Sequence, residues 1–455
     1  MATAVKKVPI PKNGVDYRGK IVLAPMVRSG ECPSRLLALR YGADLVWGPE
    51  TIDRALIGCT RVENECTQTI DFTRYSNNGN KDAHPEGGHR ESIIFRLHPA
   101  REGKKLIHQI GTANPETAVQ AAKLIAGDVA GIDVNAGCPK PFSTSGGMGA
   151  ALLKTPEKLC EILRALVKDV GEPFEIGISV KIRLLETPEQ TEALVRSLCD
   201  TGITGLTIHC RTTPMRPRER AIREQLKMIA DVCREQGVAC LMNGDVYSRD
   251  EAIELISEYG VDGAMIATAA ETNPSVFRPA SEGGKAAWDV VVRDYVETSM
   301  DVENRWGNTK YLLGQMIPGK QPVYQKMTAA RSYSELVTLL NYPDLVEKAK
   351  TADQQLGIGI FEAPKISRSQ QKAAKKNAAK QQHKRKAFAI GNDNEAQPKQ
   401  VAVPSTSKPF DSPRNSPPPT SKKRSAEQAE LQMPPDAARD RAPGSIPGSA
   451  SALAI

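Results

Sequence analysis

The chain has 455 residues and a formal net charge of +8. That length excludes a small disulfide- or metal-held module and admits either one large α/β barrel or two to four average domains. The opening "MATAVKKVPIPKNGVDYRGK" lacks an apolar signal core, and no later run reaches about 18 apolar residues, so a soluble, intracellular protein is expected. The charge is uneven. From Pro364 onward there are 17 Lys plus Arg against 7 Asp plus Glu, leaving 44 basic and 46 acidic residues before it. A near-neutral body with a cationic extension suits a protein that holds a polyanion, although such a tail also serves solubility or targeting.

After an N-terminal arm over residues 1–17, short β-branched runs alternate with amphipathic helical stretches, the pattern of parallel strands joined by crossover helices. The predicted strands are "KIVLAP" (20–25), "ADLVWGPE" (43–50), "KLIHQIG" (105–111), "GIDVNAG" (131–137), "GISVKIR" (177–183), "GLTIHC" (205–210), "ACLMNGD" (239–245) and "GAMIAT" (263–268). Helices such as "PETAVQAAKLIAG", "TPEKLCEILRALVKDV", "TPEQTEALVRSLCDTG" and "SRDEAIELISEYG" follow them, opened by Thr, Ser or Pro and closed near Gly. Eight such units over residues 18–280 predict an α/β fold, a (β/α)8 TIM barrel. "SIIFRLH" (92–98) is expected to pair as a hairpin with the third strand, and residues 74–92 to form a polar surface loop. Residues 281–362 read as a small all-helical domain, and 363–455, rich in Lys and Ala and then Pro and Ser, as a disordered tail.

Nine cysteines without any CxxC pair argue against a zinc site or a disulfide framework, and no metal site is expected. Most read as buried small hydrophobes. Cys138 stands apart, in "NAGCPKPFSTSGGMGAALL" (135–153), between a strand end and a glycine-rich stretch that opens a helix.

In a barrel the chemistry gathers at the C-terminal ends of the strands. Here those ends carry Pro25, Met26 and Val27, then Gln109, Asn135 and Cys138, Lys181 and Arg183, His209, and Asn243-Gly244-Asp245. The loops after strands seven and eight, "NGD" and "IATAA", with Ala267 and Thr268, occupy the usual phosphate site of such barrels. Lys181 and His209 are expected to face one opening, with Gln109 free to pair with a heterocycle edge. The set suits a flavin mononucleotide, and on these grounds alone equally a sugar phosphate.

The blocks "LAPMVRSG" (23–30), "YGADLVWGPE" (41–50), "HQIGT" (108–112), "GIDVNAGCPKPFSTSGGMGAALL" (131–153), "VKIRL" (180–184), "TIHCRT" (207–212), "NGD" (243–245), "NPSVF" (273–277) and "NTKYLLGQM" (308–316) resemble the tRNA-dihydrouridine synthases, and among them the eukaryotic type 2 branch. The resemblance runs from about residue 18 to about residue 360. It implies an FMN-dependent reductase that uses NADPH, with NADH as a possible reductant, to reduce the C5–C6 bond of a uridine in the tRNA D-loop, at the twentieth position. It also implies Cys138 as the proton donor. Pro25, Met26 and Val27 would line the isoalloxazine, and Gln109, Lys181 and His209 would contact the ring or ribityl chain. The Asn243-Gly244-Asp245 loop with Ala267 and Thr268 would take the phosphate, and Asn135 and Arg183 would complete the substrate side or the flavin edge.

Two positions depart from the family pattern: Cys210 stands where Gly usually follows the strand-six His, and Thr268 where Arg often follows the strand-eight Ala. The partner expected is tRNA, with no membrane. Its backbone is expected to be held by the helical domain together with Lys372, Lys375, Lys376, Lys380, Lys384, Arg385 and Lys386. "HKRKA" and "SKKRS" read equally as nuclear-import signals, placing the protein in the cytoplasm, the nucleus or both. Two alternatives stand beside this reading: another FMN barrel acting on a free pyrimidine, and a non-catalytic RNA-binding protein on a degenerate barrel.

Overall fold

The computed structural model describes residues 8–75 and 91–359. The strands in chain order are β1 (Lys20–Leu23), β2 (Leu45–Trp47), β3 (Thr51–Ile52), β4 (Thr60–Asn64), β5 (Thr69–Tyr75), β6 (Glu91–Leu97), β7 (Leu106–Gly111), β8 (Gly131–Ala136), β9 (Gly177–Leu184), β10 (Gly205–Thr212), β11 (Ala239–Asn243) and β12 (Gly263–Ile266). Eight of them form a closed parallel barrel in the order β1, β2, β7, β8, β9, β10, β11, β12, with β12 pairing back onto β1 and the short β3 added to β7. Parallel strands covered by helices are buried on both sides, which is why β7 and β8 are buried at every position.

The crossover helices start where their capping residues stand. Asn114 accepts from Glu116 N and Thr117 N at 2.8 and 3.1 Å ahead of helix Pro115–Ile125, Thr187 forms a capping box ahead of Pro188–Cys199, and Ser248 caps Arg249–Tyr259. The predicted helix beginning at Thr155 runs over Pro156–Leu166 and widens into a π-type turn at Val167–Gly171 instead of ending on a simple glycine cap.

One expected pairing is wrong. β6 does not form a hairpin with β7; it pairs antiparallel with β5, which also pairs with β4, in a three-stranded sheet beside the barrel. β7 already has parallel neighbours on both edges, and the intervening Pro99–Lys105 segment coils into helical turns that cannot serve as a hairpin loop. The ends of the expected 74–92 loop accordingly lie in strands, with Arg74 opposite Ser92 and Tyr75 opposite Glu91, while residues 76–90 fall outside the described residues.

The N-terminal end of the barrel is plugged. Tyr17 is buried, packed with Val22, Leu45, Trp47, Ile107, Leu241 and Met265 inside the ring. Room for it comes from glycines that start the strands: a Cβ on Gly205 would lie 2.6 Å from the Tyr17 ring, and one on Gly131 3.2 Å from its hydroxyl. The preceding residues are tied down by Val8 N to Gly237 O (3.1 Å) and Asn13 N to Glu175 O (2.8 Å).

Beyond the barrel lie the helices Trp288–Asp301, Trp306–Met316, Pro322–Ala329, Tyr333–Leu339 and Val346–Gln355. They share a core of their own, which Leu37 of helix Cys32–Arg40 and its C-cap Tyr41 join. Two buried arginines brace the junctions: Arg35 forms a two-point pair with Glu102, and Arg96 pairs with Asp71 and donates to Val302 O. Among the described residues no helix is long and apolar enough to cross a membrane, and no cluster could hold a metal ion. The basic tail residues invoked for tRNA, and the segment expected to be disordered, lie outside the described residues.

Candidate active site

A cavity of about 600 Å³ opens at the C-terminal ends of the barrel strands. Of the residues singled out in the sequence, Pro25, Val27, Gln109, Asn135, Cys138, Lys181, Arg183, His209, Asn243 and Ala267 line it. Met26, Gly244, Asp245 and Thr268 do not. Met26 packs half-buried against the core, and Thr268 is exposed at the start of a five-residue helix. Asp245 turns aside to pair with Arg211 at 2.5 Å and to accept from Ala221 N at 2.7 Å, so only the backbone of this loop is left for a ligand.

Each polar side chain in the floor is held by a neighbour. Asp133 is buried at the centre of β8, accepting from Gln109 Nε2 at 2.8 Å and Ser179 Oγ at 2.7 Å, so Gln109 keeps its carbonyl oxygen for a ligand. Burial pushes the Asp133 carboxyl up to about 6, against the pull of these donors and of the Lys181 charge. Lys181 donates to Asn243 Oδ1 at 2.9 Å, while Asn243 Nδ2 donates to Met265 O at 2.9 Å. Burial, reinforced by Arg183, lowers the Lys181 ammonium to about 8, so it is cationic at neutral pH but close to losing its proton.

His209 is pushed down to about 2 by burial and then by Lys181, Arg183 and Arg211, and is therefore neutral. Its Nε2 lies 3.2 Å from Arg211 Nη1. A guanidinium only donates, so Nε2 accepts and the ring proton sits on Nδ1. The neutral ring thus presents a donor without a charge. Gly244, at φ 121°, shapes the adjoining wall: a Cβ there would lie 3.3 Å from Ala221 Cβ and 3.4 Å from His209 Cδ2.

The loop carrying Cys138 is fixed from two sides. Asn135 Oδ1 accepts from Gly137 N and Cys138 N at 3.0 and 3.1 Å. Arg183 donates to Gly137 O and Thr212 O, both at 2.8 Å. These two residues, expected at the substrate or flavin edge, thus spend their hydrogen bonds on the loop while still lining the cavity. Cys138 is half-buried, and burial pushes its thiol up, with the Glu50 carboxylate adding to the shift. A thiol so placed keeps its proton at neutral pH.

Sequence reasoning passed over Glu50, Asp133, Arg211, Lys140, Phe142 and Tyr311. Glu50 ends the second predicted strand in "WGPE" and so met the rule that exposed the others. It accepts from Ser143 Oγ at 3.0 Å, and burial raises its carboxyl against the pull of Ser143 and Asn135. Asp133 could have been found as the one charge inside the apolar run "GIDVNAG". Tyr311 comes from helix Trp306–Met316, where nothing in the local pattern marks it as facing a barrel. Cys210, one of the two departures from the family pattern, is fully buried and faces away from the cavity lining.

Comparison with known proteins agrees with this architecture. The family model described as dihydrouridine synthase (Dus) matches residues 22–365. A Schizosaccharomyces pombe protein named tRNA-dihydrouridine(20) synthase is 49% identical over 327 residues, covering 71% of this chain and 65% of the relative. A Saccharomyces cerevisiae protein of the same name is 42% identical over 398 residues, covering 86% of this chain and 98% of the relative. The Saccharomyces cerevisiae tRNA-dihydrouridine(20a/20b) synthase is more distant, 28% identical over 257 residues, with 56% of this chain and 61% of that one covered. With a family match spanning most of the barrel and the helices after it, the chain belongs to the dihydrouridine synthase family.

Proposed function

We propose that this protein is a tRNA-dihydrouridine synthase that reduces the C5–C6 bond of the uridine at the twentieth position of the tRNA D-loop, with FMN as resident cofactor and NADPH as reductant. The observation that carries the reading is a protonated thiol, Cys138, lining the same cavity as a cation, a neutral imidazole donor and a carboxamide oxygen. Two of the three relatives named above, the more similar ones, are named tRNA-dihydrouridine(20) synthase.

The residues present fit FMN. A volume of about 600 Å³ lies within the usual range for a cofactor site, and Ala24, Pro25 and Ala267 offer small apolar surface to a flat ring. Lys181, His209 and Gln109 supply donors and an acceptor for its heteroatom edge, and Lys181 offers positive charge where a reduced ring gains electron density. Of the expected phosphate loops, Asn243 and Ala267 line the cavity, and their backbone would hold the phosphate. When bound and reduced, FMN supplies hydride to uracil C6.

This chain's own residues then handle the proton. The carbanion developing at C5 takes the Cys138 Sγ proton, so the thiol acts as general acid and becomes thiolate, to be reprotonated from solvent. Asn135 and Arg183 keep that sulfur in place by holding the backbone on both sides of it. Glu50 disfavours premature ionisation of the thiol through its negative charge. Since the target uridine must leave its stack to reach the barrel, the rim has to bind RNA as well as the base.

The experiment is the visible spectrum of purified protein, then anaerobic reduction by NADPH and reoxidation by unmodified tRNA, for wild type and Cys138→Ala. Flavin bands with tRNA-dependent reoxidation, lost in the variant, support the assignment. A protein that binds no flavin when FMN is added, or that turns over free uracil and not tRNA, refutes it.

A further inference from the structure

The segment after Cys138 holds an aromatic ring out of the protein on a rigid support. Phe142 is 46% exposed, while its neighbour Ser143 is fully buried and donates to Glu50 Oε1 at 3.0 Å. Ala150 N donates to Cys138 O at 2.9 Å, and a Cβ on Gly149 would lie 2.6 Å from that same oxygen, so the stretch from 138 to 150 has one tight closure. What sets this half-exposed ring apart from the other exposed aromatic side chains is its place on the cavity lining, where its flat face is open to a ligand.

Three strands round the barrel, a second platform faces the same cavity. Arg28 adopts φ 72°, unusual for a residue with a side chain, and its guanidinium lies 4.0 Å from the centroid of the Tyr311 ring. Both residues line the cavity, as do Phe142 and the exposed Lys140. Aromatic rings and guanidinium planes interleaved with cations are the recognition chemistry of unstacked RNA nucleotides: bases stack on the planes, and phosphates meet the charges.

We propose that Phe142 on one side and the Arg28–Tyr311 pair on the other are stacking platforms for the nucleotides flanking the reduced uridine, with Lys140 serving their phosphates. The inference rests on the tRNA reading above and assigns it a physical rim. These side chains hold the strand open on either side of the target, so that the uridine alone descends to Cys138.

The test uses full-length, FMN-loaded protein and unmodified tRNA. Phe142→Ala and Tyr311→Ala should each raise the KM for tRNA about ten- to a hundred-fold, the range for loss of one base–aromatic stack. The value of kcat at saturating tRNA should change far less, and Phe142→Trp should restore the KM. The direct affinity of each variant for tRNA, read by fluorescence anisotropy, should fall by the same factor. An unchanged KM and affinity in both alanine variants overturns the proposal. So does slowed flavin reduction by NADPH in Phe142→Ala, which would assign the ring to the nicotinamide, or a change in oligomeric state, which would assign it to a second copy of the chain. If wild type binds tRNA yet fails to reduce it, the function reading fails while the anisotropy comparison still decides the platforms.

Discussion

The two ends of the barrel are made from the same strands and do opposite things. At the N-terminal end, glycines at 131 and 205 leave a hollow that the Tyr17 ring fills among apolar side chains such as Val22, Ile107 and Met265. At the C-terminal end the same strands finish in Asn135, Lys181, Arg183, His209 and Asn243 around an open cavity. One end removes surface from water and the other keeps charged groups around a cavity, where Lys181 and Arg183 are each held by a neighbour. The lesson is that polar density at a strand end, and not the strand itself, separates stabilising positions from chemical ones.

Four experiments test that contrast. The largest effect belongs to Cys138→Ala: reduction of tRNA uridine should fall about a hundred- to ten-thousand-fold, the usual worth of a positioned acid, while the melting temperature holds. Equal loss of stability would make the thiol a packing residue. At the other end, Gly205→Ala should lower stability by about 1–3 kcal/mol through overpacking against Tyr17, read by thermal or denaturant unfolding, with kcat for folded enzyme unchanged. A fall in kcat at full folding would show that the two ends are coupled.

The third experiment follows the Lys181 proton. The ammonium is charged below its value of about 8 in the free protein and neutral above it. Bound FMN favours the charged form, so affinity should be flat below pH about 8 and weaken as pH rises beyond it. Lys181→Met should bind more weakly and lose this dependence in a fluorescence titration of flavin. A wild-type profile that rises above pH 8 would place the cation away from the ring. The smallest effect is expected for Asp245→Asn. It removes the partly buried pair with Arg211, loosens the Arg211 contact to His209, and should cost about 1 kcal/mol or less in FMN affinity. No change would mean that the loop backbone is held by its other bonds alone.

How much of this could be read from the chain differs by element. The barrel strands were recoverable because buried parallel strands leave continuous β-branched runs, and the capped helices because Asn, Thr and Ser stand at their starts. The β5–β6 pairing was not, since an apolar run says that a strand exists and not which edge is vacant; β7's edges were already taken. Within the site, Lys181 and His209 were visible as polar strand ends. Asp133 was hidden by sitting mid-strand, and Tyr311 by belonging to a helix far along the chain.

The sequence by itself determined the alternation of strands and helices, the specific block around Cys138 and the polar character of the strand ends, because these are properties of neighbouring residues. Only the tertiary structure decided that Asn135 and Arg183 grip the Cys138 loop, that Asp245 turns to Arg211, and that Phe142 stands exposed across from Arg28 and Tyr311. Those outcomes depend on which groups closure of the barrel brings within hydrogen-bonding reach, and no local pattern carries that distance.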